Sequence, residues 1–425
     1  MSEPNLTLPP PLTVEEARAH ILALTQPLSA EKRLLTEALG AVLAEPVTAP
    51  TDSPAFDNSA MDGYAVRAAD LAGAAPASPV ELEVVFEVAA GASGDGCVGP
   101  GQAARILTGA PLPQGVDAVV RQEDTERAGP RVAVRVAPSV REHVRSAGED
   151  VRQGEEVLAA GTVLGPAQLG MLASLGRSIV AVHQRPRVAI LSGGDELVEP
   201  DGEVAGGRIV SSNSYSIAAE CHQLGAEPVY LGIARDTPED LERCIRTGLR
   251  ADLLVSSAGV SVGDRDYVRA VLEKLGCTWV FWGVRIKPGY PLAFGRFVDD
   301  SGPLVFGLPG NPVSAMVTFE QFVRPALRKM TGHRAWFRPV LQARLAEPLH
   351  KNAGRLHFVR VRLERRGDEV VAHTTGSQSS GVLRSMTEAQ GLLVFPAEAT
   401  ELREGDTASV QVLDAAFLAS PDPGF

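Results

Sequence analysis

The sequence is poor in cysteine and has no long apolar run, and both absences restrict what the protein can be. Its 4 cysteines are widely spaced and form no CxxC pair (Cys97, Cys221, Cys244 and Cys277). This spacing fits neither a disulfide framework nor a zinc ribbon, so we expect reduced thiols. No run approaches the roughly 18 apolar residues of a membrane span, and the first residues lack the basic start and apolar core of a secretory signal. We therefore expect a cytoplasmic protein that has no membrane partner.

Basic residues are fewer than acidic residues. The 425 residues include 40 Lys+Arg and 52 Asp+Glu, which gives a formal net charge of −12. Such a chain does not favour a nucleic-acid partner, although it can still contain a local basic pocket. The hydrophobic fraction of 44% and the charged fraction of 22% are those of a globular protein, which excludes a disordered chain. The 42 glycines and 31 prolines favour turns and strands over a helical bundle.

Several common catalytic signatures are missing as well. No GxxxxGKS/T motif is present, which excludes a Walker-type ATPase, and no GxGxxG follows the first strand of the predicted α/β region. The 8 histidines are scattered without an HExxH motif, and there is no GxSxG nucleophile elbow. The chemistry must therefore be sought outside these motifs.

The first half of the chain combines helical and β-type patterns. Thr13 and Glu16 form the capping box of one predicted helix, and the apolar spacing after Ser29 predicts a second helix that ends at Gly40. Residues 55–147 favour β-structure, as in the alternating segment 131–136. The short segment 148–184 cannot form its own core, so it is expected to return to the N-terminal helices.

From Pro186 onward, short apolar runs are separated by predicted helices. The runs, at 188–191, 229–233, 253–255 and 305–308, show no alternation, and the helices are expected at 213–224, 238–249, 266–275 and from Asn311. This order is typical of a parallel sheet that is buried on both faces, so we predict a doubly wound α/β domain. Alternation returns after Gly332, which predicts a small β-sandwich or barrel at the C-terminal end.

Ligands of open parallel sheets bind at the carboxyl ends of the strands, so the polar residues after each predicted strand are candidate site residues. They are Ser192, Gly194 and Glu196; Asp236; Ser256, Gly259, Ser261, Gly263 and Asp266; and Pro309, Gly310, Asn311 and Pro312. Gly- and Ser-rich loops can bind phosphate through backbone N–H groups, and clustered carboxylates can hold Mg²⁺. Helix caps, tight turns and solvated loop charges are the alternative interpretation of the same residues.

A set of longer motifs occurs in a fixed order along the chain. They are FDNSAMDGYAVR (56–67), LTGAPLP (107–113), GED (148–150), SGGDEL (192–197), SSAGVSVGDRDY (256–267), IKPG (286–289) and GLPGNPVSA (307–315). Together they resemble the molybdopterin molybdenumtransferase family, MoeA, which includes the C-terminal part of gephyrin. The resemblance implies an elongated domain I (8–50 and 148–185), an inserted β-rich domain II (51–147), an α/β molybdopterin-binding domain III (186–335) and a β-barrel domain IV (336–425).

The resemblance also implies a reaction, cofactors and partners. The expected reaction is molybdenum insertion from molybdate into adenylated molybdopterin, with Mg²⁺-dependent release of AMP, as the last step of molybdenum cofactor synthesis. A homodimer is implied, whose cleft lies between the α/β domain of one subunit and the N- and C-terminal parts of the other. Other implied partners are the adenylyltransferase of the preceding step and molybdoenzyme apoproteins.

The resemblance assigns roles to individual residues. Glu196, Asp236 and Asp266 would hold the metal, Lys287 would neutralise oxyanion charge, and Asp62 would join them as a catalytic residue. Further cofactor-binding residues are expected in the β-rich domain, in GED and in the barrel (Thr108, Glu123, Asp150, Arg355 and Ser380).

The chain departs from the family pattern at four positions. Gly283 and Tyr290 stand where the family has lysines, while Ala258 and Gly193 interrupt two loop motifs. Arg285 can replace one missing cation, because its planar fork suits tetrahedral oxyanions. The departures leave two alternatives open, namely a paralogue or cofactor-binding scaffold with altered catalysis, and a different phosphate-handling α/β enzyme.

Overall fold

The computed structural model describes residues 10–257, 267–297 and 302–419, and the chain divides into two compact units. The large unit comprises the described residues of Met1–Glu31, Gly40–Ala44 and Ala181–Phe425. The small unit comprises Lys32–Leu39 and Glu45–Val180.

Helices are short throughout. The α-helices are α1 (Val14–Leu24), α2 (Pro166–Ser174), α3 (Asn213–Gln223), α4 (Pro238–Gly248), α5 (Tyr267–Lys274), α6 (Pro312–Thr318), α7 (Arg324–Met330) and α8 (Arg384–Thr387). A π-helical turn, Phe319–Val323, joins α6 to α7, and 3₁₀ turns occur at Leu35–Glu37, Ala68–Leu71, Gln122–Asp124 and Ala416–Leu418. Within the described parts of the chain, no helix is both long and apolar enough to cross a membrane.

Strands make up most of the remaining regular structure. They are β1 (Ala30–Leu34), β2 (Val47–Thr48), β3 (Asn58–Ser59), β4 (Gly63–Val66), β5 (Val80–Val88), β6 (Gln102–Ile106), β7 (Ala118–Arg121), β8 (Thr125–Ala128), β9 (Arg131–Val134), β10 (Val144–Arg145), β11 (Glu156–Leu158), β12 (Ile179–His183), β13 (Arg187–Gly193), β14 (Leu197–Val198), β15 (Ile209–Val210), β16 (Glu227–Ala234), β17 (Leu253–Ser256), β18 (Cys277–Trp282), β19 (Ile286–Lys287), β20 (Ala293–Phe297), β21 (Leu304–Gly307), β22 (Val340–Leu345), β23 (Leu349–His350), β24 (Leu356–Arg366), β25 (Glu369–Thr374), β26 (Gly391–Phe395), β27 (Glu401–Leu402) and β28 (Thr407–Val412).

The small unit is built on a sheet with the strand order β7-β4-β6-β5-β9-β8. Both faces of β4 are buried: Tyr64 and Val66 pack in one apolar cluster, while Ala65 packs in another. Between β5 and the edge strand β8, β9 alternates between less and more buried residues, as its sequence pattern predicts.

The large unit contains the predicted doubly wound sheet, in the order β16-β13-β17-β21-β20-β18. β13 pairs in parallel with β16 and β17, and β17 pairs in parallel with β21. Apolar clusters cover both faces, one including α1, α3 and α7 and the other α4 and α5. Only β20 runs against the rest, because the short link from β20 to β21 cannot contain the crossover that parallel strands need.

The C-terminal region forms the predicted barrel. Strands β24-β25-β22-β28-β26 follow one another in a sheet, and β26 pairs with β24 to close it. Val359, Val361 and Leu363 alternate into an apolar cluster shared with Leu393 and Val410. The short strand β19 joins this sheet beside β24.

The second predicted helix, at 29–40, is wrong. The chain forms strand β1 there, then a 3₁₀ turn, and it turns at Gly40 with φ of 75°. β1 pairs with β12, which lies far along the chain, and a distant pairing of this kind overrides a local helical pattern. The predicted capping box of α1 is confirmed, since Thr13 Oγ1 accepts from the Glu16 N–H at 3.1 Å and the Thr13 N–H donates to Glu16 Oε2 at 2.8 Å.

Candidate functional site

The parallel strands of the large unit bring three of the predicted loops to one sheet edge, and the loop after β17 is described only as far as Ser257. Leu191 is paired with Ser256, and Ser256 with Gly307, while Gly193 is paired with Ala234. The segments after these residues therefore leave the sheet side by side. They contain Gly194 and Glu196, then Asp236, and finally Pro309 to Pro312.

Buried serine hydroxyls line this edge. Ser192 Oγ lies 3.4 Å from Ser257 Oγ and accepts from Ser211 Oγ at 3.3 Å, and Ser211 Oγ lies 3.3 Å from Ser214 Oγ. All four side chains are buried. Ser192 was a candidate from the sequence, and Ser257 lies in the predicted SSAGVSVGDRDY motif. The SSNS run at 211–214 is a signal that could have revealed two of the others, but such a run is also typical of a helix start.

The 307–312 loop is fixed by backbone hydrogen bonds. The Leu308 N–H donates to Ser256 O at 2.7 Å, and Asn213 Nδ2 donates to Gly310 O at 2.7 Å. Asn311 occupies the N-cap of α6, yet its side chain makes no capping hydrogen bond. Asn213 is the first residue of α3, whose N-cap is Ser212.

Two aspartates face each other beside the ends of β13 and β16. The Asp195 N–H donates to Asp236 Oδ2 at 3.4 Å, and the Asp236 N–H donates to Asp195 Oδ1 at 3.2 Å. Sequence reasoning missed Asp195. Glu196 instead folds over Gly194, where a Cβ atom would lie 2.6 Å from Glu196 Oε2 and where φ is 140°.

Only two of the three predicted metal ligands, Glu196 and Asp236, lie in the described residues. In the described ranges, no group of three His, Cys, Asp or Glu residues is arranged to hold a metal ion. Asp266, the third predicted ligand, lies outside the described residues, as do Gly259, Ser261 and Gly263. The observed oxygen donors, Asp195, Glu196 and Asp236, are all exposed, and carboxylate oxygens are ligands that suit Mg²⁺.

Lys287 lies on the barrel side of the large unit. It belongs to β19 and is paired with His357 of β24. Because β16 and β18 are the two edges of the central sheet, the loops after them start about 24 Å apart, from five spacings of about 4.8 Å. Lys287 and Asp236 therefore follow strands at opposite edges of the central sheet.

Other cations surround Lys287. The Arg355 guanidinium lies 5.8 Å from the centre of the Tyr290 ring, so the ring packs beside a predicted site arginine. Burial lowers the pKa of Lys351, and the charge of Lys287 lowers it further. Burial, together with the charges of Lys287, Arg360 and Lys351, lowers the pKa of His357 to about 3. This side of an acidic chain is thus suited to an anion.

The small unit brings three of its predicted residues together. Thr108 donates to Asp62 Oδ1 from its hydroxyl and from its N–H, each at 2.7 Å, and these bonds lower the pKa of Asp62. The Gln122 N–H donates to Asp62 O at 3.0 Å, which brings the 3₁₀ turn with Glu123 beside them. Asp150 is held elsewhere, since its N–H donates to Ser53 O at 3.0 Å.

A doubly wound α/β domain, a separate β-rich unit and a closed C-terminal barrel define a multidomain protein of mixed α/β class. Residues 12–176 match the MoeA N-terminal region (domain I and II), residues 189–329 match a probable molybdopterin binding domain, and residues 342–413 match the MoeA C-terminal region (domain IV).

Relatives and solved structures agree with these matches. The chain is 41% identical over 374 residues to a molybdopterin molybdenumtransferase of Nostoc sp., covering 87% of this chain and 86% of the relative. It is 36% identical over 406 residues to the Haemophilus influenzae protein of the same name, covering 94% and 98%. The structure of a molybdopterin biosynthesis MoeA protein from Pyrococcus horikoshii is similar with a TM-score of 0.78 at 30% identity, covering 95% of this chain and 100% of that one.

The chain therefore belongs to the molybdopterin molybdenumtransferase family, and the predicted resemblance and fold class are confirmed. It is a transferase that acts in molybdenum cofactor biosynthesis.

Proposed function

We propose that this protein transfers molybdenum from molybdate to the dithiolene of adenylated molybdopterin and releases AMP when the pyrophosphate bond is cleaved. The observation that supports this is the convergence of the buried serines, the 307–312 loop and the Asp195–Asp236 pair at one sheet edge. Backbone N–H groups and hydroxyls of such an edge can bind phosphate oxygens. Carboxylates beside them supply oxygen ligands for a cation.

The metal requirement follows from the same donors. Asp236, Glu196 and Asp266 would hold Mg²⁺, and Asp195 adds a fourth carboxylate at the side of Asp236. Mg²⁺ bound there supplies charge neutralisation for the phosphate groups. Lys287 and Arg355 would neutralise the oxyanion at the other end of an extended ligand, since both are exposed cations on the barrel side.

AMP release, measured with and without molybdate, tests this function. Asp236→Asn should abolish AMP release from adenylated molybdopterin. Glu227→Gln is the matched control, because Glu227 is an exposed carboxylate at the opposite end of the same strand, β16. Wild-type protein that releases no AMP at saturating ligand, molybdate and Mg²⁺ would overturn the proposal.

A homodimer with shared sites is the second part of the proposal. In it, Asp62, Thr108, Glu123 and Asp150 of one subunit would complete the site of the other. Chains with Asp62→Asn should be mixed with chains with Asp236→Asn, each inactive alone. If sites are shared, each mixed dimer has one intact site and one doubly altered site, so activity should return. Mixed dimers without activity would exclude sharing.

A cofactor-binding scaffold with reduced catalysis is a second candidate function. Gly283 has φ of 91°, a conformation that a lysine rarely adopts, and Tyr290 replaces the other family lysine. This candidate predicts tight pterin binding in calorimetry with little AMP release. Tyr290→Lys discriminates, because a large gain of activity would indicate a catalytically weakened site.

A further inference from the structure

Arg360 is a buried cation on β24. Its side chain is 0% exposed, and burial is the only influence on its pKa, so no carboxylate pairs with it in the part of the chain that the structure describes. Burial lowers the pKa of Arg360 to about 10, so the guanidinium remains charged at neutral pH. A buried charge without a counter-ion is costly, which suggests that its hydrogen bonds serve a purpose other than stability.

Those hydrogen bonds hold residues 376–380, which we name the serine loop. Arg360 Nη2 donates to Ser379 O at 3.2 Å and to Ser377 O at 3.5 Å. Gln378 is bound on both sides, since its Oε1 accepts from the Arg360 N–H at 2.9 Å and its Nε2 donates to Arg360 O at 3.1 Å. Arg360 Nε also donates to Ser385 Oγ at 3.3 Å, just beyond the loop.

The far end of the serine loop contacts the segment that follows the central sheet. Ser380 O accepts from the Val313 N–H at 3.1 Å. Val313 is near the start of α6, where N–H groups have no partner within the helix. The carbonyl groups of Ser377, Ser379 and Ser380 are thus engaged by protein groups. The Ser379 and Ser380 hydroxyls make no hydrogen bond among the described residues and can accept or donate to a ligand.

We propose that Arg360 is a positioning residue that fixes the serine loop. The fixed loop places Ser380 beside the start of α6, at the binding site for the phosphate groups of the pterin nucleotide. This inference rests on the proposed function. It predicts that the guanidinium affects ligand binding more than stability, because its hydrogen-bond acceptors in the loop are close to solvent and can be hydrated when it is removed.

Arg360→Met should raise the KM for adenylated molybdopterin about tenfold, with kcat within about twofold, which is the signature of lost binding. Hydrogen exchange at the Val313 amide should become faster. The unfolding midpoint should stay within about 3 °C of the wild type, because a buried unpaired charge is replaced by an apolar side chain. Arg360→Lys keeps the charge without the planar fork and should give a smaller KM increase. It also provides a second variant in case Arg360→Met does not fold.

Arg384→Met is the matched control, because Arg384 is 85% exposed and lies beside Ser385 in α8. A folded Arg360 variant with wild-type KM and wild-type exchange at Val313 would overturn the inference, as would an equal KM change in the control. Absence of AMP release from the wild type would instead sink the proposed function. In that case, calorimetric binding of the same nucleotide by wild type and Arg360→Met still decides the role of Arg360.

Discussion

Glu320→Gln should destabilise the large unit more than any exposed charge substitution. Glu320 lies in the π-helical turn and is 8% exposed. Its Oε1 lies 2.9 Å from Arg338 Nε and 3.2 Å from Arg324 Nε, and its Oε2 lies 3.2 Å from Arg338 Nη2. Removing its charge leaves two largely buried guanidinium groups without a carboxylate.

The expected loss follows from this geometry. Breaking a buried ion pair by removing one partner costs about 3–5 kcal/mol. We expect about 3 kcal/mol, because Gln keeps the shape and one acceptor oxygen. Glu220 also lies near both arginines, and burial followed by the charge of Glu320 raises its pKa well above the usual value. At about 2–4 °C per kcal/mol, the midpoint should fall by about 6–12 °C.

Scanning calorimetry at pH 7 measures this shift. Glu388→Gln is the control, because Glu388 forms an exposed pair with Arg384 at 2.9 Å and should change stability by about 0.5 kcal/mol at most. A second comparison uses Glu220→Gln. Glu220 can ionise when Glu320 is neutralised, so the double variant should lose more than the sum of the single variants. A Glu320→Gln shift no larger than that of Glu388→Gln would refute the reasoning.

Three further predictions concern single positions. Gly63→Ala should prevent correct folding of the small unit, because a Cβ atom would lie 1.9 Å from Val120 O, and circular dichroism of the variant should detect the loss. The stability of Glu220→Gln relative to the wild type should increase as pH rises from 4 to 9, as urea titrations can measure. The pKa of Glu220 is raised in the folded state, so the wild type loses the stability that the neutral carboxyl provides as pH rises through that pKa, whereas Gln cannot ionise. His357→Phe should flatten the decline of stability between about pH 6.5 and 4, because a folded pKa of about 3 makes the wild type lose stability as pH falls. The same variant should gain about 1 kcal/mol at pH 7, since both buried ring nitrogens lack hydrogen-bond partners.

Sequence patterns predicted the elements whose own apolar residues determine their structure. They missed the elements whose structure depends on pairing with a distant segment. The continuous apolar run at 188–191 favours a strand buried on both faces, and β13 is such a strand. The segment 30–34 has a pattern compatible with a helix, and only its pairing with β12 makes it a strand. The direction of β20 likewise depends on a link length that apolar periodicity does not encode.

Candidate site residues at strand ends were predictable from the sequence, whereas those that depend on a loop conformation were not. Strand-end reasoning identified Asp236, Ser192 and Gly310, because carboxyl ends of parallel strands must meet at one edge. It could not identify Asp195, whose relevance comes from a loop conformation in which two carboxylates exchange backbone hydrogen bonds. It also could not show that Arg360 is buried, because arginine in an alternating strand normally faces solvent.

The short strand β19 has a mechanical consequence. Its flanking strands, β18 and β20, are part of the central sheet, whereas β19 itself is hydrogen-bonded to the barrel strand β24. Lys287 is thus tied to both the central sheet and the barrel, so the barrel cannot shift relative to that sheet without displacing the lysine or breaking the β19–β24 hydrogen bonds.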